Sequence, residues 1–201
     1  MNKALEAARA LVKMLEEQEA GEKQVELATL NPGETFKIGE HEFVVLKQQQ
    51  GETMVISKGF MATGQQFDED TKDYNKSSLK KLIENDIQPM IEKEVGVENL
   101  VEHEVSLISV DMQQEFEPCK CKVRPVTFDE ARAFNDLLVN EELPGYYWTC
   151  TPWSTEKRGW KYSVAVVSPS GNFVNDTVCS SNDGVRPFCI LKSNIFVSRG
   201  E

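Results

Sequence analysis

The residue pattern predicts an α+β fold: a mixed domain of short antiparallel strands and two helices over residues 27–201. An N-terminal amphipathic helix and linker over 1–26 precede it. Three observations carry this. Short runs of β-branched residues are separated by Gly, Pro and Asn turn signals. Two segments have helical apolar spacing and caps. A third segment, at the N-terminus, repeats its apolar residues at a/d spacing.

In chain order, Leu5, Ala8, Val12 and Leu15, with Leu11 beside them, form the stripe of a helix over 2–20. A helix this short is marginal alone in water, so it either packs on its own domain or self-associates. Gly21–Glu26 reads as a polar linker. Asn31-Pro32-Gly33 then opens a meander of three strands, Thr35–Ile38, His41–Lys47 and Thr53–Lys58. Ser77 or Ser78 caps a helix with Leu79, Leu82, Ile83 and Ile87 on one face, which Pro89 breaks or restarts and Gly96 ends. Glu104–Val110 alternates as a strand, and Glu115–Val123 reads as another. Thr127 and Glu130 have the spacing of a capping box for a helix through about Val139. Four strand-like runs finish the chain: 146–151, 161–167, 172–179 and 185–191.

The net charge of −11 is concentrated in residues 31–125, which hold 11 basic and 18 acidic side chains. A nucleic-acid binder needs a basic face, so no nucleic-acid partner is expected. No apolar run reaches the roughly 18 residues of a membrane span. The charged N-terminus lacks the pattern of a signal peptide, so the chain is expected to be cytoplasmic when made, as a virion component also is. Five cysteines, an odd number, argue for reduced thiols rather than a disulfide framework. Cys119 and Cys121 fall on one face of their strand.

All three tryptophans and three of the four tyrosines lie between Tyr146 and Tyr162. Aromatics give large rigid contact area, and they serve equally as core bulk or as binding anchors. The loops beside them supply the candidate ligand-binding residues: Trp153, Lys157, Arg158 and Trp160 in one, and Asn175, Asp176, Asn182 and Asp183 in the other.

The stretch Gly145-Tyr146-Tyr147-Trp148-Thr149-Cys150-Thr151-Pro152, the alternating run from Tyr162, the Ser170-Gly171 turn and the terminal Gly184-Val185-Arg186-Pro187 resemble a phage- and prophage-associated domain family of unknown function. Upstream, Gly33, Phe36, Gly39, Phe43 and Leu46 match that family's opening hairpin. Tyr74, Ser77 and Leu79 match the entry to its first helix, and Thr127 with Glu130 the entry to its second. The resemblance covers roughly residues 30–192 and implies a C-type-lectin-like fold, which the formylglycine-generating enzymes share. Thr149 or Cys150 stands where the family carries Arg, and Phe43 where it carries Trp, so the ligand does not carry over with the fold.

No catalytic residue, cofactor or metal is expected. Asn175-Asp176 lacks the companion loop of a calcium-dependent sugar site. The two histidines stand beside no recognisable nucleophile. The leading expectation is therefore a non-catalytic module binding a protein or glycan through its C-terminal loops, with residues 2–20 available for homo-oligomerisation. Two alternatives differ in class: an intracellular inhibitor using the acidic region 84–117 against a basic protein, and a formylglycine-generating type of enzyme using Cys150, Cys179 and Cys189.

Overall fold

Seven antiparallel strands, in the order β1-β12-β2-β3-β4-β11-β7, form the main sheet of the computed structural model, which describes residues 24–200. The strands are β1 (Gln24–Glu26), β2 (Thr35–Ile38), β3 (His41–Gln49), β4 (Glu52–Ser57), β7 (Val123–Pro125), β11 (Pro187–Lys192) and β12 (Phe196–Arg199). A second sheet joins β8 (Tyr147–Pro152), β9 (Ser163–Val167) and β10 (Phe173–Thr177) in the order β10-β9-β8. β5 (His103–Val105) and β6 (Cys119–Cys121) make a separate two-stranded ribbon. The fold is thus mixed α+β and mostly antiparallel, as the sequence predicts. The helix expected over residues 2–20, and the self-association assigned to it, lie outside the described residues.

The main sheet is buried on both faces because its strands carry apolar residues at consecutive positions. Phe43, Val45, Val55 and Cys189 face one core, together with Leu79, Ile83, Ile87 and Ile91 from a helical run. Val44, Ile56, Phe188 and Ile190 face a second core closed by Ala131 and Leu138. β8 divides the two cores: Trp148 packs in the first and Tyr147 in the second, as strand alternation requires.

The helical run has a defined internal step. α1 (Ser78–Leu82) is capped by the Ser77 hydroxyl, which accepts from Lys80 N at 3.1 Å. A wider π turn over Ile83–Ile87 follows, then α2 (Gln88–Val95). Gln88 N bonds to Ile83 O, five residues back, so Pro89 falls in the first turn of α2, where no N–H is needed. On the opposite face, α3 (Phe128–Ala133) starts from the full Thr127–Glu130 capping box. The single helix expected through Val139 ends early, with the chain bending at Phe134 (φ −111°, ψ 18°) before α4 (Asn135–Leu138). Asn135 Nδ2 is engaged by Gly171 O at 2.9 Å, which holds this bend against the β9–β10 turn.

Three further expectations are corrected. The linker Gly21–Glu26 ends in β1, which pairs with β12, a strand that short polar-flanked runs had hidden. The strand expected over Glu104–Val110 stops at Val105. Its alternation holds in part: Val105 and Leu107 are buried, but Ser109 follows them inward while Val110 is half-buried, and beyond Val105 no partner strand runs alongside it. Glu115–Val123 resolves into β6 and β7 flanking Lys122.

Two buried arginines fix these parts to one another. Arg124 gives a two-pronged bond to Glu130 at 2.7 and 2.6 Å and lies 4.4 Å over the Phe188 ring. Arg186 bonds to Ser57 O at 3.0 Å and Leu138 O at 2.8 Å, with its guanidinium 4.8 Å over Tyr147. The residue two before it is Gly184, where a Cβ would lie 2.1 Å from the Phe60 ring. Gly184→Ala is therefore expected to lose about 1–3 kcal/mol in urea denaturation, and trimming Phe60 to Ala in the same chain to restore part of it.

Candidate functional site

The loop from Trp153 to Tyr162 leaves the main body at the end of β8 and returns as β9. Its base is closed by Trp153 N bonding to Ser163 O at 2.9 Å. Between these ends Glu156–Arg158 form one tight 3-10 turn, stopped by Gly159 in the left-handed conformation (φ 88°).

A buried lysine holds this loop from beneath. Lys72, 3% exposed, extends its ammonium to Ser154 O at 2.6 Å, Trp160 O at 2.7 Å and the Glu115 carboxylate at 2.9 Å. The same carboxylate accepts from Glu156 N at 3.1 Å. All three donors of the ammonium are thus matched, as a buried charge requires.

A second anchor grips the loop from its side. Asp111 accepts from the Ser109 hydroxyl at 2.6 Å and the Ser154 hydroxyl at 2.7 Å, and pairs with Arg158. These two hydroxyls first, then Arg158, hold its carboxyl down to about 2. The turn carrying Asp111 also borders a cleft of about 550 Å³ lined by Ile108, Met112, Phe128 and Arg132, among others.

The held loop turns aromatic surface outward. Trp160 is 40% and Tyr162 44% exposed. Trp153 is half-buried, its ring 6.3 Å from that of Trp160. Lys161 lies 5.1 Å from the Tyr162 ring, and Lys157 stands exposed at the turn.

Of the expected binding residues, Trp153, Lys157, Arg158 and Trp160 therefore share one rigid loop. Val178 N bonds to Tyr162 O at 2.8 Å, which brings the second loop alongside the first. There Asn175 and Asp176 are half-buried on β10 and Asn182 is exposed. Asp183, expected at the surface, is instead buried. It precedes Gly184, whose N and O are taken by Tyr146 and Trp148, and this pairing draws the side chain inside. Lys72, Asp111 and Glu115 were not among the residues expected at the site. Nothing in their spacing marks them, since Lys72 bonds to a residue 82 positions away.

The thiols sit apart from this surface. Cys150 and Cys189 are buried, and burial pushes each up to about 12. Cys179 is exposed. Cys119 and Cys121 share the inward face of β6, where the interaction of the two thiols lowers Cys119 and raises Cys121, and Cys119 Sγ donates to Lys120 O at 3.7 Å. Among the described residues no group of three or more His, Cys, Asp or Glu side chains is arranged to hold a metal ion, and no helix is long and apolar enough to cross a membrane.

Because its carboxyl is held low, Asp111 contributes stability that is present above the ordinary carboxylate range and lost as pH falls toward about 2. Carbon NMR is expected to find it titrating near 2, and Ser109→Ala, which removes the leading bond, is expected to raise that value. No known family model matches the chain, and no similar curated protein or solved structure was found.

Proposed function

We propose that this chain is a non-catalytic binding module of C-type-lectin-like architecture, engaging a protein or glycan ligand through the 153–162 loop. The observation that carries the reading is an outward aromatic pair, Trp160 and Tyr162, on a loop fixed by Lys72 and Asp111 before any ligand arrives. Rigid aromatics lose little side-chain freedom on contact, and a loop already ordered spares the ligand the cost of ordering it. Lys157 adds an exposed cation at the rim, and Asn175 and Asn182 add polar groups on the neighbouring loop.

The lectin-like assignment draws support from the antiparallel sheets, the helices on opposite faces and the long irregular loops between strands. The Gly184–Pro187 segment has a scaffold role that fits the resemblance, since Gly184 meets Phe60 closely and Arg186 bonds across the fold. The family resemblance in the sequence supports a phage or prophage origin.

Glycan and peptide arrays probed with the full chain test the reading. A ligand found there is expected to bind about thirtyfold more weakly, or worse, to Trp160→Ala, a loss of about 2 kcal/mol typical of an aromatic anchor. Tyr162→Ala and Lys157→Ala are expected to weaken it less, with thermal stability nearly unchanged in all three. Ligands bound equally by the wild type and Trp160→Ala would place the binding surface elsewhere.

A further inference from the structure

We infer that Asp183 and Asp176 form a shared-proton latch, which holds the 177–183 loop closed in acid and loosens it as pH rises toward neutrality. The latch stands whatever the aromatic surface binds.

Asp183 is 1% exposed, and its Oδ2 has neither solvent nor a hydrogen-bond partner. The side chain that faces it is another carboxylate, Asp176 on β10. Ionised carboxylates only accept hydrogen bonds, so buried Asp183, set against half-buried Asp176, needs a proton between the two. The Ser180 hydroxyl from the loop itself is the one other polar side chain acting on Asp183 among the described residues, and no cation does.

The surroundings supply no substitute for that proton. The segment 65–68 receives the loop through Gln65 N to Asp183 O (3.3 Å), Gln66 Nε2 to Cys179 O (2.8 Å) and Asp68 N to Val178 O (3.0 Å). Its one charged side chain, Asp68, is turned to its own neighbours, accepting from the backbone of Asp70, Thr71 and Ser78. Just before β8, Gly184 N bonds to Tyr146 O; the Tyr146 side chain is exposed, and the Tyr147 ring packs in the second core against Arg186. β10 brings Asp176, whose Oδ1 also accepts from Thr177 N at 2.6 Å.

Burial first, and the Asp176 charge second, raise the Asp183 carboxyl to about 7. In an opened loop the same group would titrate near its ordinary value of about 4. Between those limits the closed loop binds more protons than the open one. Closure is therefore strongest below about pH 4, weakens as pH rises through the interval, and changes no further above about 7.

Carbon NMR of the Asp183 carboxyl and hydrogen-exchange protection of amides 177–184, both on the full chain, test this. The carboxyl is expected to titrate near 7. Protection, corrected for intrinsic exchange, is expected to fall roughly a hundred- to a thousandfold from pH 4 to 7.5. Asp183→Asn, whose amide can donate to Asp176 at any pH, is expected to abolish that dependence and keep the loop closed. An Asp183 carboxyl titrating near 4, or the same pH dependence in Asp183→Asn, would overturn the latch.

Discussion

Buried carbonyl oxygens must find donors, and in this protein long irregular segments make that the governing constraint. Strand ladders cannot serve the chain at 58–72, 106–118, 139–146 or 153–162, because those segments lie outside the strands. Side chains serve it instead. Lys72 bonds to Ser154 O and Trp160 O, and Arg186, at the edges of two such segments, to Ser57 O and Leu138 O. Gln48 bonds to Leu27 O and Leu30 O, Asn140 to Lys58 O, and the Trp148 indole to Gln65 O. Each replaces a missing ladder bond with a fixed one from a distant part of the chain.

Such bonds do more than remove a penalty. A buried donor lost from its acceptor costs about 1–3 kcal/mol, so each one selects a single arrangement of the loop it holds. The 153–162 loop has two such anchors of different kind. Lys72 acts from inside on backbone oxygens, and Asp111 acts from the surface on Ser154 and Arg158. Between them they leave the loop little freedom except in its side-chain tips, which are the aromatic rings and Lys157. The second loop is held less completely, for its interior meets an acid pair with too few donors. One edge of the surface is thus rigid and the other responsive to protons.

Local patterns were legible in the sequence and distant partners were not. The capping box at Thr127 and Glu130 is present as its spacing indicates, but that Glu130 also pairs with Arg124 depends on the strand before it folding back. The apolar alternation over 104–110 marks Val105 and Leu107 as buried, but Ser109 rather than Val110 follows them inward. It says nothing about whether another strand lies alongside, and none does beyond Val105. The aromatic cluster divides as strand alternation and loop position would have it: Tyr147 and Trp148 are core, while Trp160 and Tyr162 are surface. Lys72 sits in an acidic stretch with every local sign of a solvated loop. Its burial follows only from acceptors 82 and 88 residues on. Asp183 was misplaced for the same reason, since a short polar loop gives no sign that its last residue turns inward.

The most direct measurement is hydrogen exchange on a Lys72→Met variant, which keeps the bulk of the side chain and removes its donors. With Ser154 O, Trp160 O and Glu115 left without their partner, amides across 153–162 are expected to lose protection by about tenfold or more, while those of β3, β4 and β11 keep theirs. Unchanged protection in the loop would contradict the account, because the aromatic surface would then owe its order to something other than the buried lysine.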